Sequence, residues 1–396
     1  MDAVRQELLE GRGGLGSAGA VEQRALGLLP YVVVDQDGHE IESFSVFLRD
    51  LVLTDMSPLT VRSYGNDLLR WWRLLRAVDV SWDRATRTEV EVLVGWMRSA
   101  TNPQRRRSTS SEPAANQRTG KLALTGGYAP ATINHALSVL ASFYAFHARF
   151  GQGPVQNPVP VVPGLRARLA HRSPMEEPIE FRRAPLRQKK SVVAPRSLPD
   201  QMVDELMGVL RTSRDRALVA LFLSTGARAS ELLGVLGSRV DWAGQRLWVV
   251  SKGSRVLEPV PASPEALQYL ASYFHEHGTP AAGEVIWRAL HGVPRPLNYH
   301  AARRVLQRAN TVLGTDWTLH DLRHTTVQRM VSDPNLTLPE VMAVTRHRRV
   351  ASMTPYLRPR VDEVFAKVQE HFAAPRPEQT LTPGYDDDDF QVVFGG

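Results

Sequence analysis

The stretch of chain between Pro154 and Pro199 is the feature that most constrains the fold. It contains several prolines. Between Arg166 and Arg196 it has nine arginines and lysines but only three glutamates, which gives a local net charge of +6. Proline disfavours helix in the residue before it, and a segment with so little apolar surface cannot form a core. Because 396 residues also exceed what a single core usually serves, we expect two domains joined by this stretch.

Helical periodicity dominates the part of the chain before this stretch. Ser57 and Pro58 form a typical helix start, and the residues after them carry apolar side chains at helical spacing. The predicted apolar stripe consists of Val61, Tyr64, Leu68, Trp71 and Leu75. Arg62, Arg70 and Arg73 lie on the opposite face, where contact with DNA and a simple solvated face fit the pattern equally well.

A second helix is predicted after Tyr128, with Pro130 in its first turn. One stripe of this helix is rich in aromatic side chains and consists of Ile133, Leu137, Leu140, Tyr144 and His147. A stripe at helical spacing favours a place in the core over a platform for stacked DNA bases. We therefore expect this helix to complete the core of the first domain.

Two parts of the N-terminal half lack an apolar period. Residues 1–30 are rich in glycine and are expected to be mobile, although Asp37 and Gly38 predict a hairpin turn just after them. Residues 102–127 shift to Pro, Ser, Gly, Arg and Lys and predict a flexible insertion. The arginines at 105–107 in this insertion would either touch phosphates or stay solvated.

The part of the chain after the basic stretch predicts a mostly helical domain with one small sheet. Ser197 and Pro199 indicate a helix start, and an amphipathic helix follows that ends at Gly226. Two β-rich runs flank a Lys-Gly turn at 252–253, and several helices continue to about residue 372. No Gly-rich phosphate loop precedes a helix, which argues against a nucleotide-driven motor.

Composition removes several classes of function. The chain has no cysteine, so disulfides, thiolate catalysis and cysteine-ligated zinc are excluded. It has no uninterrupted apolar run of about 18 residues, and its first residues lack the basic-then-apolar order of an export signal, so we expect a cytoplasmic protein without a membrane partner. The formal net charge of +7 favours a polyanionic partner, although an aspartate run at 386–389 reverses the sign locally.

Six polar residues of the second domain follow one another in an order that fits a phosphoryl-transfer site: Arg228, Lys252, His320, Arg323, His347 and Tyr356. A phosphodiester transition state carries extra negative charge on its non-bridging oxygens, and a guanidinium can donate two aligned hydrogen bonds to them. Arg228 and Arg323 are the candidates for this role. Taken alone, Arg228 would be interpreted as a surface arginine near the end of a helix.

The segment HDLRH places His320 and Arg323 three positions apart, on one helical face. His320 and His324 also have the spacing of zinc-binding helices, but Asp321 stands where those hydrolases have a glutamate. Zinc is therefore the weaker alternative. His324 is interpreted as a buried histidine that packs or forms a hydrogen bond.

Tyr356 is the candidate nucleophile. A phenol ionises at about pH 10, so a nucleophilic tyrosine needs clustered cations or a base to stabilise its phenolate. Lys252 lies in a tight turn, where a flexible ammonium could donate a proton to a leaving oxygen. The alternative for Lys252 is an ordinary turn lysine.

Three separated motifs resemble the tyrosine recombinase (phage integrase) family: STGARASELLGV, HDLRH and the nine-residue spacing from His347 to Tyr356. The resemblance covers roughly residues 42–370 and is most specific in the catalytic half. It matches the family's catalytic positions to Arg228, the hairpin lysine Lys252, the pair His320 and Arg323, the second histidine His347 and the nucleophile Tyr356. Thr345 and Arg346 stand where the family commonly has Leu-Gly, so the local turn can differ.

The resemblance implies attack by Tyr356 on a scissile phosphate, which gives a 3′-phosphotyrosyl link and a free 5′-hydroxyl, with Lys252 as general acid. Because this link retains the ester energy, the resemblance implies strand exchange and religation without ATP, a metal or any other cofactor. The implied partners are double-stranded DNA, a homotetramer on two DNA sites and accessory DNA-binding proteins. The implied setting is the bacterial nucleoid, in the service of a mobile element.

The expected fold class is mainly α, with a helical N-terminal core-binding domain and a mixed α+β catalytic domain that contains a small antiparallel sheet. The expected segments are an N-terminal extension with a hairpin at 1–41, a helical core-binding (SAM-like) DNA-binding domain at 42–160, a basic linker at 161–196, a catalytic domain at 197–372 and an acidic C-terminal tail at 373–396. The candidate DNA-contacting residues are Thr60, Arg62, Arg70, Asn134, Arg303 and Arg304.

Two other functions stay open at this point. A type IB topoisomerase resembles the family in its Arg, Lys, His and Tyr chemistry but relaxes supercoils without exchanging partners. An accessory DNA-binding protein that has lost catalysis is the third candidate, and the complete set of six residues argues against it. The apolar stretch at 390–394 would either dock on a neighbouring protomer or belong to a disordered tail.

Overall fold

The protein is described by a computed structural model that covers residues 2–100, 115–121, 127–160, 183–189, 195–251, 255–357, 361–374 and 392. The chain divides into two compact units with separate hydrophobic cores. Unit 1 comprises Met1–Ala115 and Gly120–Ser191, and unit 2 comprises Asn116–Thr119 and Val192–Gly396. The fold is mainly helical with small antiparallel sheets, as predicted. Within the described ranges, no helix is both long and apolar enough to span a bilayer.

Unit 1 combines helices with a two-stranded antiparallel sheet. Its described helices are α1 (Ala3–Leu9), α2 (Glu42–Leu53), α3 (Pro58–Ala77), α4 (Arg87–Ser99) and α5 (Pro130–Ala148), with a 3-10 turn at Trp82–Arg84. Its strands are β1 (Ala20–Gln23) and β2 (Tyr31–Val34), paired so that Ala20 faces Val34.

The two predicted apolar stripes form the core of unit 1. The Ser57 hydroxyl accepts a hydrogen bond from the Thr60 N–H at 3.2 Å, so α3 begins where the sequence indicates. Most of the α3 stripe and all of the α5 stripe are buried: Val61, Leu68, Trp71, Leu75, Ile133, Leu137, Leu140, Tyr144 and His147. The Trp71 indole N–H donates to the Tyr144 hydroxyl at 2.9 Å, which joins the two helices. The aromatic stripe is therefore core, as predicted.

The N-terminal segment differs from the prediction. Residues 1–30 are expected from sequence to be mobile, but they contain α1 and β1. The Arg73 guanidinium supplies the physical reason, since it donates to the backbone carbonyls of residues 17–19 at 2.6–3.0 Å and ties this segment to α3. An arginine predicted to lie on a solvated or DNA-contacting face instead orders the chain that precedes it.

The predicted hairpin turn is present, but it is not the main pairing of β2. Gly38 has a φ of +82°, and the Asp35 N–H donates to the His39 carbonyl at 2.9 Å. After this turn, only an isolated bridge between Val34 and Glu40 continues the pairing within the described residues. The principal partner of β2 is β1, which comes before it.

Unit 2 combines helices with a three-stranded antiparallel sheet. Its described helices are α6 (Asp200–Val209), α7 (Ser213–Thr225), α8 (Ala229–Leu233), α9 (Pro264–His277), α10 (Tyr299–Leu313), α11 (Leu319–Ser332), α12 (Leu338–Thr345) and α13 (Val361–Ala373), with 3-10 turns at Gly237–Arg239 and Val350–Ser352. Its strands, in sheet order, are β3 (Val240–Asp241), β4 (Arg246–Val250) and β5 (Leu257–Pro261). The two predicted β-rich runs are confirmed as β4 and β5.

Helix α7 forms the centre of unit 2 and sets the position of its neighbours. Gly226 ends the helix with a φ of +56°, the left-handed cap that the sequence predicts. The Thr326 hydroxyl on α11 lies 3.1 Å from the Phe222 carbonyl and 2.8 Å from the Leu223 carbonyl, both at the end of α7. This contact holds the N-terminal half of α11 beside the turn that follows α7.

A short part of the predicted flexible insertion belongs to unit 2. The Asn116 amide donates to the Gly314 carbonyl at 3.1 Å, and Arg118 donates to the Leu313 carbonyl at 2.6 Å. Both bonds satisfy carbonyls at the C-terminal end of α10. This part of residues 102–127 is thus held by specific contacts, whereas the arginines at 105–107 and the apolar stretch at 390–394 lie almost wholly outside the described residues.

Candidate active site

Three segments of unit 2 meet at one place. They are the turn between α7 and α8, the first half of α11, and the chain that follows α12. Five of the six predicted catalytic residues lie on these segments, and their contacts with one another are described below. The residues span about 130 positions of the chain, from Arg228 to Tyr356.

Arg228 is held by a carboxylate beneath it. Its backbone N–H donates to Glu231 Oε2 at 2.9 Å, and its guanidinium Nη1 donates to Glu231 Oε1 at 2.8 Å. The Glu231 side chain is 0% exposed, whereas that of Arg228 is 32% exposed. The buried carboxylate therefore orients the guanidinium and leaves part of it accessible to an anion.

Arg323 is almost completely buried and bridges two turns. Its guanidinium donates to the Gly226 carbonyl, to the Thr345 carbonyl at 2.7 Å, and lies 3.3 Å from His347 Nε2. Burial, together with the positive charge of Arg228, lowers the pKa of Arg323 to about 10, so it stays charged at neutral pH. Arg228 also reaches toward the Arg346 carbonyl, at 3.5 Å. Both guanidiniums thus reach backbone carbonyls of the turn that follows α12.

The histidines of the site are predicted to be neutral at pH 7. Burial lowers the pKa of His347 to about 4, and the Arg323 charge adds to this effect. His320 is exposed, yet partial desolvation and the Arg323 charge lower its pKa as well. The His347 ring also lies against Thr345, with Nδ1 2.6 Å from Oγ1. A neutral imidazole can donate one hydrogen bond and accept another.

Tyr356 lies in the turn after the 3-10 segment that follows α12, and it is 5% exposed. Its ring packs with Val327, Val341 and Met353 in a small apolar cluster. The Tyr356 ring centre is 6.2 Å from that of His347, and burial raises the phenol pKa while the Arg323 charge opposes that rise. The nucleophile candidate therefore lies beside His347 and within the electrostatic influence of Arg323.

Known proteins match both halves of the chain. Residues 196–363 match the phage integrase family, and residues 44–115 match the N-terminal SAM-like domain of phage integrases. The chain belongs to the tyrosine recombinase (phage integrase) family. It is 28% identical over 229 residues to tyrosine recombinase XerC of Chlamydia muridarum, which covers 57% of this chain and 66% of that protein. It is 26% identical over 217 residues to tyrosine recombinase XerD of Lacticaseibacillus casei, covering 52% and 64%.

The alignments with these two recombinases span slightly less than two thirds of each relative. Among solved structures, a lambda integrase dimer bound to a COC′ core site has a TM-score of 0.54 at 15% identity, covering 80% of this chain and 76% of that chain. At this level of identity the likeness concerns the fold. This family member therefore shares the integrase architecture.

The predicted hairpin lysine, Lys252, lies outside the described residues. The residue before it, Ser251, directly follows β4 and lines an open cleft of about 450 Å³. His347 and Arg346 line the same cleft. The lysine hairpin of this family member therefore starts from a wall of the cleft that His347 also lines.

Sequence reasoning missed the role of Glu231 and Arg346. Glu231 Oε2 accepts from the Arg346 guanidinium at 2.9 Å, so one buried carboxylate joins Arg228 and Arg346. Arg346 also ends α12 with a φ of +57°, in the left-handed region that favours glycine. The turn thus keeps a conformation suited to the family's glycine while adding a cation. The spacing R-x-x-E from Arg228 to Glu231 was the available signal for the first of these contacts.

The geometry around α11 does not support the zinc alternative. His324 Nδ1 is hydrogen bonded to the Tyr356 hydroxyl, so that nitrogen faces the candidate nucleophile. In the described part of the chain, three metal-ligand side chains come together at Asp35, Asp37 and His39 of unit 1, and not at the histidines of α11. The histidine pair therefore has no third ligand among the described side chains.

The candidate DNA-contacting residues of unit 1 are partly engaged within the protein. Thr60 Oγ1 lies 2.9 Å from Ser57 Oγ at the start of α3, and Arg70 pairs with Asp67. The guanidinium carbon of Arg62, which is exposed, lies 5.8 Å from the centre of the Tyr31 ring. Arg62 is therefore the most accessible of these candidates.

Asn134 is also engaged within the protein, whereas the two candidate arginines of α10 are exposed. The Asn134 amide donates to the Gln188 carbonyl at 2.9 Å and accepts from the Gln188 N–H at 2.8 Å, which ties the predicted linker to α5. Arg303 and Arg304 are exposed on α10 of unit 2. Contact with DNA stays a prediction for all of these residues, and it is weakest for Asn134.

Proposed function

We propose that the chain is a site-specific DNA recombinase that cuts and rejoins DNA through a 3′-phosphotyrosyl intermediate. The observation that supports this most is the approach of two guanidiniums, two neutral histidines and a tyrosine on three separate segments of unit 2. A buried carboxylate orients one of these guanidiniums, which is how sites that bind a developing negative charge are organised.

In the proposed reaction, Tyr356 attacks the scissile phosphorus and the 5′-oxygen leaves. Arg228 and Arg323 stabilise the charge on the non-bridging oxygens, and His320 and His347 contribute neutral hydrogen bonds. Lys252 protonates the leaving oxygen. These groups supply charge stabilisation and proton transfer by themselves, so the proposed mechanism uses no metal and no nucleotide.

The proposed substrate is double-stranded DNA. The helical domain at 42–160, the basic linker at 161–196 and the catalytic domain at 197–372 would grip the duplex through its phosphates, with the extension at 1–41 and the tail at 373–396 outside this grip. A lambda integrase tetramer has been solved on a Holliday junction, at a TM-score of 0.53 to this chain. We propose a tetramer on two DNA sites here as well, acting at the nucleoid with accessory DNA-binding proteins.

A covalent trap tests this proposal without knowledge of the DNA site. Host DNA fragments that carry random nicks are incubated with the protein, denatured and recovered through the protein, because a nick lets the cleaved strand end diffuse away and blocks religation. The unsubstituted protein is expected to accumulate adducts enriched in one sequence, and Tyr356→Phe to accumulate none. Adducts in equal amount from both proteins would refute the proposed nucleophile.

The same DNA separates the alternatives. Two copies of the recovered site on separate molecules are expected to exchange partners. Plasmid relaxation without site preference and without exchange would favour a type IB topoisomerase. Tight binding to the site without any adduct would favour an accessory DNA-binding protein.

A further inference from the structure

His324 faces the nucleophile more directly than any catalytic residue predicted from sequence. Its Nδ1 is hydrogen bonded to the Tyr356 hydroxyl, and the two ring centres are 5.5 Å apart. On its other side the His324 ring packs against that of His320, with ring centres 4.1 Å apart. The sequence predicts that His324 packs or forms a hydrogen bond, and its hydrogen-bond partner is the phenol oxygen of the candidate nucleophile.

The direction of this hydrogen bond follows from the charge state of its two partners. Burial and the neighbouring His320 lower the pKa of His324 to about 4, so the imidazole is neutral at pH 7. Burial raises the pKa of Tyr356, so the phenol keeps its proton. A neutral phenol next to a neutral imidazole donates its proton toward the unprotonated nitrogen. Tyr356 O–H therefore donates to His324 Nδ1, and the imidazole proton resides on Nε2.

The other histidine near the nucleophile is engaged elsewhere. His347 Nδ1 lies 2.6 Å from the Thr345 hydroxyl, and its Nε2 lies 3.3 Å from the Arg323 guanidinium. Both of its ring nitrogens therefore have partners that are not Tyr356. His324 is the described histidine whose nitrogen meets the phenol oxygen, which is the geometric requirement for a base.

We propose that His324 is the general base for Tyr356, a role that rests on the proposed recombinase function. The phenol proton moves to His324 Nδ1 as the bond from Tyr356 Oη to phosphorus forms. The bond from phosphorus to the 5′-oxygen breaks, and that oxygen takes a proton from Lys252. In religation the 5′-hydroxyl attacks the phosphotyrosine, Lys252 takes back its proton, and His324 returns the first proton to the departing phenolate.

The electrostatic surroundings fit a base that is neutral before the reaction and charged only during it. Burial, the neighbouring His320 and the Arg323 charge lower the pKa of His324, whereas Asp321 raises it. A phenolate or a phosphate anion that develops beside the ring would favour the protonated form. The charged imidazolium is thus stabilised at the stage when the proton has to be held.

The test uses His324→Asn in the full chain, because the asparagine carbonyl accepts a hydrogen bond near the position of Nδ1 but cannot take a proton. Single-turnover adduct formation is measured on a nicked duplex of the recovered site, with a normal 5′-oxygen and with a bridging 5′-sulfur at the cleaved phosphate. Loss of a general base is expected to slow both substrates by about 10²–10⁴-fold. Lys252→Ala is the matched control, and the sulfur substrate should restore its rate because a thiolate leaves without a proton.

Two further readouts distinguish a base from a residue that merely holds the tyrosine. The rate of the unsubstituted protein is expected to be level between pH 6 and 9, and that of His324→Asn to rise with pH. Fluorinated tyrosine at position 356, whose phenol is more acidic, should rescue His324→Asn in part. Melting temperature and affinity for DNA should not change.

Failure of the general-base proposal can be told apart from failure of the proposed recombinase function. A normal rate for His324→Asn, or a slow rate with an unchanged pH profile and no rescue by fluorotyrosine, would overturn the base while leaving the recombinase function in place. Failure of the unsubstituted protein to form any adduct would overturn both.

Discussion

Arg73 of unit 1 and Arg323 of unit 2 are both arginines that donate to backbone carbonyls and whose pKa is lowered by burial. Arg73 binds three successive carbonyls at residues 17–19 and orders the N-terminal segment. Arg323 binds the carbonyls of two turns and also reaches His347, with the charge of Arg228 nearby. Burial and a shifted pKa therefore do not distinguish a structural arginine from a site arginine, but the neighbours do.

The histidines of the two units show the same contrast. His147 is 2% exposed, with Nδ1 3.0 Å from Gln152 Oε1 and Nε2 2.9 Å from the Ser43 carbonyl. Its ring packs against aromatic side chains of the core. His324 is also packed, but its nitrogen meets the Tyr356 hydroxyl. Its ring lies against that of His320, and the Tyr356 ring lies beside that of His347. A histidine with both nitrogens satisfied by uncharged structural groups is part of the core.

The largest expected effect separates the two arginines. Arg323→Ala should slow adduct formation on the trapped DNA by about 10²–10³-fold or more, because it removes a charge-stabilising donor from the transition state. Arg73→Ala should leave the adduct rate of the folded protein unchanged and instead loosen residues 17–19, seen as faster amide hydrogen exchange there. Single-turnover rates and exchange are both measured on each variant. Equal rate losses in the two variants would remove the distinction.

The next effect concerns the core histidine. His147→Leu should destabilise unit 1 by about 1–3 kcal/mol, because the Ser43 carbonyl loses its buried hydrogen-bond donor. Denaturant unfolding measures the change, and the adduct rate below the unfolding transition should match that of the unsubstituted protein. A stable variant with a slow adduct rate would show that unit 1 also takes part in the chemistry.

Opposite pH dependence is expected for the two units. Because His324 and His347 have folded pKa values of about 4, below the value of about 6.5 for unfolded histidine, the stability of unit 2 should fall as pH drops through this interval. In unit 1, the hydrogen bond that the His135 ring donates to the Asp67 carboxylate raises the pKa of His135. The stability contributed by this pair is therefore complete below the unfolded pKa and is lost as pH rises through the folded pKa.

This divergence can be followed by calorimetry and by hydrogen exchange in α5 and α11 between pH 5 and 7.5. Midpoint shifts of a few degrees are expected, since about 1 kcal/mol moves the midpoint of a domain of this size by about 2–4 °C. Parallel shifts in the two units would contradict the assigned charge states.

The smallest expected effect is a difference in stability between substitutions at Arg346 and at Arg70. Both arginines form ion pairs, but Arg346 has a left-handed backbone and Arg70 a helical one. Arg346 has a φ of +57°, so Arg346→Gly should be more stable than Arg346→Ala by about 1 kcal/mol, although both lose the Glu231 pair. Arg70 lies inside α3 and pairs with Asp67, so there the order should reverse, with Ala better than Gly by about 1 kcal/mol. Thermal unfolding of the four variants decides the matter. The same order at both positions would be inconsistent with a left-handed Arg346.

The features that the sequence predicted are those that depend on local pattern. Periodicity identified the stripes of α3 and α5, Gly226 marked the end of α7, and the family motifs selected the candidate residues in order. Each of these signals lies within a few residues of the feature it predicts. They required no knowledge of how distant segments meet.

The missed features all depend on contacts between distant residues. Glu231 and Arg346 are 115 positions apart, and His324 and Tyr356 are 32 apart, so no local pattern pairs them. The pairing of β1 with β2 was not predicted either, because an arginine on α3, more than 50 positions away, orders the segment before β1. A glycine-rich composition indicates low intrinsic order, but a distant side chain can override it.

The central claim is that the phenol oxygen of Tyr356 forms the covalent bond to DNA. Mass spectrometry of the trapped adduct, after nuclease and protease digestion, tests it most directly. We expect a nucleotide attached through its 3′-phosphate to the peptide that contains Tyr356. A nucleotide attached to another residue, or through a 5′-phosphate, would contradict it.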